Sequence, residues 1–238
     1  MINVGEADVL KALKVLEVLN TSCRWENICR ISKEQRQTYE TLLKAFEDIN
    51  GADEKAEDAP ENLHNLKGKA LEALVRYLFQ ISGGIFQVDC NLRTATNEID
   101  DLITLTPKGK ALLKNGLIDE HLENFLGECK NYDRPVTVTY IGKFCSLMLT
   151  NKVKLGILFS YHGVSGSGWA NGSGLIRKFY LHKERLEERY CIIDFSIKDF
   201  RSILTGKNLL QIIDEQLKSL QYDTDYSRYR SKHPAENI

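Results

Sequence analysis

The sequence lacks the features of a membrane protein and of a secreted protein. No stretch approaches the roughly 20 uninterrupted apolar residues that span a bilayer. The first residues carry acidic side chains and show no cationic start followed by an apolar run, so no secretory signal is predicted. These absences exclude a membrane protein from the expected classes, and we expect a cytoplasmic protein.

The sequence also has few of the patterns that build common cofactor sites. Its 6 cysteines include no Cys-x-x-Cys pair, which favours reduced thiols, and its 5 histidines show no paired spacing for zinc, which favours surface histidines. The glycine-rich segment 163–174 has neither the Lys-Ser/Thr ending of a P-loop nor the context of a dinucleotide fingerprint. No nucleotide cofactor is expected, and this segment is predicted to be a flexible loop or one whose backbone approaches a phosphate group closely.

The charge of the chain is balanced, with 32 basic and 33 acidic residues and a formal net charge of −1. This balance argues against a protein that coats nucleic acid by bulk electrostatics, but it is compatible with a local basic groove around an acidic metal site. With 238 residues the chain is long enough to bury a continuous core without disulfides.

Hydrophobic periodicity divides the chain into a short extension and a main domain. Apolar residues at helical intervals predict amphipathic helices over 6–19 and 33–49. The acidic, apolar-poor segment 50–62 is broken by Gly51 and Pro60, which indicates a linker and a boundary near residue 60. The predicted units are a helical extension at 1–60, the main domain at 61–222 and a polar tail at 223–238.

The main domain is predicted to be a mixed α/β unit. Apolar residues from Leu71 to Phe79 recur at i, i+3, i+4, i+7 and i+8, the pattern of a helix packed on a core, and Gly83 and Gly84 end it. The predicted strands cover 85–90, 99–105, 122–130, 153–160 and 190–195. The predicted helices cover 136–150, 176–188 and 208–220, and a further helix begins at a cap formed by Ser196 with Asp199. The order helix, three strands, helix, strand indicates a mixed sheet flanked by helices.

Charged residues at the ends of two predicted strands are the candidates for chemistry. Residues two apart in a strand share a face, so Glu128 and Lys130 project together while Cys129 points to the other side. The preceding strand begins with Asp100 and Asp101, of which alternation allows only one beside Glu128, and periodicity does not choose between them. Carboxylate oxygens of this kind suit Mg²⁺. The competing interpretation is a surface salt bridge.

One further acid, Glu72, lies on the flank of the predicted helix stripe. Its carboxylate is expected at the rim of the core, where the helix meets the sheet. The alternative interpretation is a solvated helix acid.

The ordered set of segments resembles the PD-(D/E)xK nuclease superfamily, most closely its Mrr-like restriction endonuclease branch. Residues 69–74 (KALEAL) resemble the helix glutamate segment, 98–100 (EID) the strand aspartate, and 127–131 (GECKN) the Glu-x-Lys strand. Segments 135–148 and 154–160 are similar to the family's next helix and strand, and the resemblance covers roughly residues 65–200.

Two departures from the family pattern stand out. Residues 106–121 are longer than a minimal hairpin needs and are interpreted as an insertion near the catalytic edge. Many members carry a glutamine or an acid early in the following helix, where this chain has Lys143.

The resemblance implies a restriction-endonuclease-like fold and a Mg²⁺-dependent endonuclease that hydrolyses DNA, with Mn²⁺ as a substitute and products ending in 5′-phosphate and 3′-hydroxyl. It favours Asp100 over Asp101 as a ligand, together with Glu128 and the backbone carbonyl of Cys129. Lys130 would orient the attacking water and stabilise charge on phosphorus, and Glu72 would act through a water or on a second ion.

Two alternatives and one assembly prediction accompany this assignment. The fold could serve a catalytically silent nucleic-acid-binding or assembly module, or the same centre could cut RNA, since both backbones present phosphates. We expect a homodimer through the N-terminal helices, because a two-fold pair can cut both strands of a duplex. The apolar stripes of these helices could instead pack on their own domain.

Overall fold

A computed structural model of the protein describes residues 28–52, 60, 62–93, 98–166 and 170–222. Its α-helices are α1 Lys33–Gly51, α2 Leu63–Gln80, α3 Pro107–Lys114, α4 Val138–Asn151, α5 Gly172–Leu181, α6 Ile197–Leu204 and α7 Leu209–Tyr222. Its strands are β1 Phe86–Arg93, β2 Glu98–Leu105, β3 Asn124–Cys129, β4 Leu155–Phe159 and β5 Cys191–Phe195. The predicted mixed α/β class is confirmed.

The five strands form one open mixed sheet in the order β1-β2-β3-β4-β5. The first three are antiparallel neighbours, and β3, β4 and β5 are parallel. Parallel neighbours need a crossover, which α4 provides between β3 and β4 and α5 between β4 and β5. The amino end of β2 and the carboxyl ends of β3, β4 and β5 therefore lie at the same end of the sheet, here called the site end.

The sheet is covered on both faces. On one face, the α2 face, the ring of Phe79 lies 6.0 Å from the rings of Phe125 and Phe159. On the other, the α4 face, a Cβ added to Gly156 would lie 2.7 Å from Phe144 and Met148, so the glycine allows α4 to approach the sheet closely. The predicted stripe of α2 is buried on the first face, and each such large apolar side chain contributes roughly 1.5–3 kcal/mol.

Helix α1 shares this hydrophobic core. It begins with a capping box in which the Gln35 side chain accepts from the Ser32 backbone at 2.8 Å. The Tyr39 hydroxyl donates to the carbonyl of Phe200 at 3.0 Å, and the Phe46 ring lies 5.4 Å from that of Tyr161. The apolar stripe of the helix predicted over 33–49 thus packs on its own chain, the alternative to a dimer contact.

Several sequence predictions fall outside the described residues. These are the helix over 6–19, most of the acidic linker, and the tail at 223–238. Among the cysteines that the structure describes, all five are free, as predicted. None of the described helices is both long and apolar enough to cross a membrane.

The connection over 106–121 is not where the sequence analysis placed it. It contains α3 and a 3₁₀ turn at Glu120–Leu122. Because Thr104 pairs with Asn124 whereas Asp101 pairs with Gly127, the connection lies at the end of the sheet opposite Asp100 and Glu128. The expected position near the catalytic edge is wrong, since antiparallel pairing sends the β2–β3 connection away from the start of β2.

The helix predicted over 176–188 is shorter and begins earlier, at Gly172, inside the glycine-rich segment. Gly172 is buried, and a Cβ there would lie 2.4 Å from Val164, so the glycine permits tight packing rather than flexibility. Of the loop that remains, residues 167–169 lie outside the described part.

Candidate active site

Three of the predicted side chains meet on the α4 face at the site end. Since Asp101 pairs with Gly127, Asp100 stands opposite Glu128, and Lys130 follows two residues later on the same side. The Lys130 ammonium lies 2.7 Å from a Glu128 oxygen and 3.2 Å from an Asp100 oxygen. The prediction that Glu128 and Lys130 project together is confirmed, and β2 adds Asp100 to them.

The three groups are sheltered but reachable from solvent: 17% of the Glu128 side chain, 23% of Lys130 and 32% of Asp100 are exposed. Burial raises the pKa of Glu128, Lys130 opposes the rise and Asp100 adds to it. Burial also works against the charge of Lys130, yet Glu128 and Asp100 together raise its pKa above the usual value. Lys130 is therefore an ammonium ion at neutral pH.

Backbone geometry separates Asp100 from Asp101. The Asp100 carboxylate accepts the Cys129 backbone N–H at 3.3 Å, which fixes it beside the other two charges. Asp101 projects to the α2 face, where only 4% of the residue is exposed and its carboxylate lies 4.0 Å from the Cys129 sulfur. Burial raises the pKa of Asp101, while Cys90 and Arg76 lower it. Of the two aspartates, Asp100 shares the face of Glu128 and Lys130.

The fourth predicted residue, Glu72, lies on α2 and forms a helical ion pair with Arg76 at 3.4 Å, with 45% of each side chain exposed. Its charge acts on Asp101, which lies on the face that α2 covers. Among the described residues, no hydrogen bond or ion pair joins Glu72 to the other three predicted residues. The structure thus brings three of the four side chains into contact, and a role of Glu72 through a water stays a prediction.

The donor set at the site end fits a hard divalent cation. Asp100 and Glu128 present carboxylate oxygens on one face, and Mg²⁺ takes one or two carboxylates while it keeps several waters. The trio has two carboxyl groups and only one lysine, so a bound cation would complement its acidic side chains. In the part of the chain that the structure describes, no group of three or more His, Cys, Asp and Glu side chains could hold a metal ion. The ligands that the resemblance implies are the two carboxylates, which the structure places together, and the backbone carbonyl of Cys129.

The loops that follow β3 and β4 are tied together beside this site. The Val136 N–H donates to the Gly163 carbonyl at 2.8 Å, and the Ser165 N–H donates to the Val136 carbonyl at 3.0 Å. The Val164 N–H donates to the Asp194 carboxylate at 2.9 Å. Gly163 has φ +73°, and a Cβ there would lie 3.0 Å from the Asp194 carboxylate, so the turn requires glycine.

Asp194 is a buried acid that the sequence analysis did not single out. It pairs with Leu158, which pairs with Glu128, so it belongs to the same row across the sheet. The pKa of Asp194 is raised to about 6, because burial and the charge of Asp199 raise it more than the hydrogen bond from the Val164 backbone lowers it. One of its oxygens is buried without a hydrogen-bond partner among the residues that the structure describes. The sequence feature that could have identified Asp194 is the position of an acid within the otherwise apolar segment CIIDF.

The segment directly after Lys130 is held by a buried lysine that was also missed. The side-chain amide of Asn131 donates to the Lys67 carbonyl at 2.8 Å, and the Lys67 ammonium forms an ion pair with Asp133. Only 2% of the Lys67 side chain is exposed. Tyr132 is thereby fixed between two anchored neighbours at the edge of the site.

A second polar cluster lies at the opposite end of the sheet. The His121 ring lies 2.7 Å from the Asp119 carboxylate, which also accepts the His121 backbone N–H at 2.9 Å. The hydrogen bond with Asp119 raises the pKa of His121 to about 10, the nearby Cys191 thiol adds to the rise, and burial opposes it. The expectation of a surface histidine is wrong for His121, which forms part of the turn that starts β3.

Comparisons with known proteins do not identify a relative of this chain. No protein-family model matches the sequence, and no curated protein matches it.

Proposed function

We propose that the protein is a Mg²⁺-dependent endonuclease that hydrolyses DNA phosphodiester bonds on a restriction-endonuclease-like fold. One observation carries the proposal: Asp100, Glu128 and Lys130 are in contact on one face at one end of the sheet. The order of helix, three strands, helix and strand supports it, because the resemblance to PD-(D/E)xK nucleases predicts these residues on those elements.

In the proposed mechanism, Asp100, Glu128 and the carbonyl of Cys129 would hold a Mg²⁺ ion. The ion would supply Lewis-acid polarisation of the scissile phosphate and would favour deprotonation of the attacking water. Lys130 orients the attacking water and stabilises the negative charge that grows on the phosphate oxygens. Its two carboxylate contacts hold the ammonium in place, so little reorganisation is needed in the transition state.

A purely structural ion pair explains this cluster less well. Exposed ion pairs contribute only about 0–1 kcal/mol, and partly buried charges lose solvation. The pKa of Glu128 is raised despite its contact with Lys130, so the fold holds this carboxylate in an unfavourable environment. Groups with perturbed pKa values beside one another at the end of a sheet are typical of functional sites.

Incubation of the purified full chain with supercoiled plasmid, linear duplex, single-stranded DNA and RNA tests the proposal. We expect cleavage of DNA with Mg²⁺ or Mn²⁺ and none with EDTA, and metal-dependent cleavage by Lys130→Ala that is roughly 100- to 1,000-fold lower. Cleavage of RNA alone would favour the RNA-directed alternative. Metal-independent binding without cleavage would favour the catalytically silent module.

A homodimer is the proposed assembly for cutting both strands of a duplex. Since Leu43 and Phe46 are buried within their own chain, the contact proposed for the N-terminal helices now depends on residues 6–19. Light scattering on the full chain and on a chain that starts at residue 28 tests this. Two monomeric proteins would contradict it.

A further inference from the structure

Three aromatic side chains form a group directly beside the candidate site. Tyr132 follows Lys130 by two residues, and its ring centroid lies 5.0 Å from that of Tyr140 in the first turn of α4. The ring of His64, in the first turn of α2, lies 6.0 Å from that of Tyr132. We call His64, Tyr132 and Tyr140 the aromatic platform. It brings together side chains from two helices and from the loop after β3.

The platform is accessible to a ligand. His64 is exposed, and Tyr132 and Tyr140 are half-buried, so none of the three rings is enclosed in the core. Tyr132 follows Lys130 by two residues in the chain, so it lies at the end of the sheet that carries Glu128 and Lys130. A molecule that contacts the platform would therefore also lie at the mouth of the site.

The central ring of the platform is held in position before any ligand binds. Asn131 and Asp133, the two neighbours of Tyr132, are both tied to the nearly fully buried Lys67. A ring on an anchored segment loses little conformational entropy when it contacts a ligand, which favours binding.

Cations accompany these rings. The Lys143 ammonium lies 5.5 Å from the centroid of the Tyr140 ring, and Arg134, two residues after Tyr132, is exposed. Aromatic rings interspersed with cations are the pattern of sites that bind single-stranded nucleic acid, where bases stack on the rings and cations contact phosphates. In a duplex the base faces are covered by their neighbours, so only unpaired bases can stack on protein rings.

We infer that the aromatic platform stacks unpaired bases of the DNA strand that enters the site, so that the preferred substrate is single-stranded DNA or an unpaired duplex end. That the bound strand is a substrate rests on the proposed nuclease function. Binding to the platform needs neither metal nor cleavage, and can be measured by itself.

The experiment measures fluorescence anisotropy of a labelled oligothymidine of about 20 nucleotides, and of a duplex of the same length, with the full chain in EDTA at one fixed salt concentration. We expect Tyr132→Ala and Tyr140→Ala each to weaken single-strand binding roughly tenfold, with little change in duplex binding. Tyr132→Phe and Tyr140→Phe should stay within about threefold of the unmodified protein, because the ring face makes the contact. Tyr222→Ala is the matched control, an exposed tyrosine at the end of α7.

Three results would overturn the inference: duplex binding as tight as single-strand binding, no loss in the alanine variants, or equal losses in the phenylalanine and alanine variants. Thermal melting of each variant separates a loss of binding from a loss of folding. The two proposals can fail separately. Tyrosine-dependent binding without cleavage of any substrate contradicts the proposed nuclease function and supports base stacking on the aromatic platform. Metal-dependent cleavage with tyrosine-independent binding contradicts the platform alone.

Discussion

Asp100 and Asp101 are neighbours in one strand, yet they lie in two different environments. Asp100 faces the α4 side, where it contacts the Lys130 ammonium and the Cys129 backbone. Asp101 faces the α2 side, where it is buried beside the Cys90 and Cys129 thiols. The comparison teaches that the face of a strand, more than the residue type, decides whether a carboxylate joins the charged cluster of Glu128 and Lys130.

The largest difference between the two aspartates is expected when each is replaced by asparagine in turn. Asp100→Asn should lose both metal binding and detectable cleavage, because one of the two candidate carboxylate ligands is removed. Asp101→Asn should keep cleavage within about threefold, since its side chain lies on the opposite face. Isothermal calorimetry with Mg²⁺ and plasmid cleavage measure both effects. The reverse result, with Asp101→Asn inactive and Asp100→Asn active, would contradict the assignment.

Lys130→Ala tests whether the α4 face carries catalysis as well as metal binding. We expect cleavage to fall by roughly 100- to 1,000-fold, the usual loss when one donor to a developing negative charge is removed. Mg²⁺ binding should persist, because the two carboxylates remain. Lys114→Ala provides a control, since Lys114 is an exposed lysine in the last turn of α3, at the opposite end of the sheet. Equal losses in both variants would point to a general effect of positive charge.

Asp194→Asn tests whether burial alone can perturb an acid on the α4 face. The pKa of Asp194 rises from 3.8 to about 6, so the fold favours the protonated form. This contribution to stability is fully present below about pH 4 and is lost as the pH rises through about 6. Since each pKa unit corresponds to about 1.4 kcal/mol, the protonation of Asp194 contributes about 3 kcal/mol to the free energy of unfolding at low pH.

The asparagine variant cannot titrate at this position, yet it keeps an oxygen to accept the Val164 N–H. Relative to the unmodified protein, it should therefore gain stability between pH 4 and pH 7. Urea unfolding at several pH values measures the difference. A constant difference across that range would show that Asp194 has an ordinary pKa.

Glu72→Gln should have the smallest effect on cleavage, at most roughly tenfold, the lower range for residues that act on a metal site from outside its ligands. Glu72 is paired with Arg76 and lies on the helix that covers the α2 face. Arg76→Gln is the matched control, since it breaks the same ion pair. Loss of all cleavage in Glu72→Gln, with Arg76→Gln active, would give Glu72 a direct role.

Much of this arrangement was predictable from local patterns. The helical stripe from Leu71 to Phe79 predicted α2, and strand alternation predicted that Glu128 and Lys130 share a face. The Ser196–Asp199 cap was readable as well, and the Asp199 carboxylate accepts the Ser196 N–H at 2.9 Å. Such features depend on residues close together in the chain, so periodicity and turn chemistry are sufficient to find them.

Other parts of the site depended on contacts between distant segments. Alternation permitted only one of Asp100 and Asp101 beside Glu128, but the choice needed the register of β2 against β3. The position of residues 106–121 was mispredicted for a related reason, since their distance from the site follows from strand direction. Lys67 gave no sequence signal, because a lysine becomes a buried anchor only when the loop after β3 folds onto α2.

The sequence by itself determined the order of helices and strands apart from α3, together with the Ser196 cap and the pairing of an acid with a lysine two residues away in one strand. All of these follow from backbone geometry over a few residues. Only the tertiary structure decided which aspartate joins that pair, that Glu72 lies apart with Arg76, and that Asp194 and Lys67 anchor the loops around the site. These outcomes depend on strand register, on the face that each helix covers and on burial, which arise when segments far apart in the chain pack together.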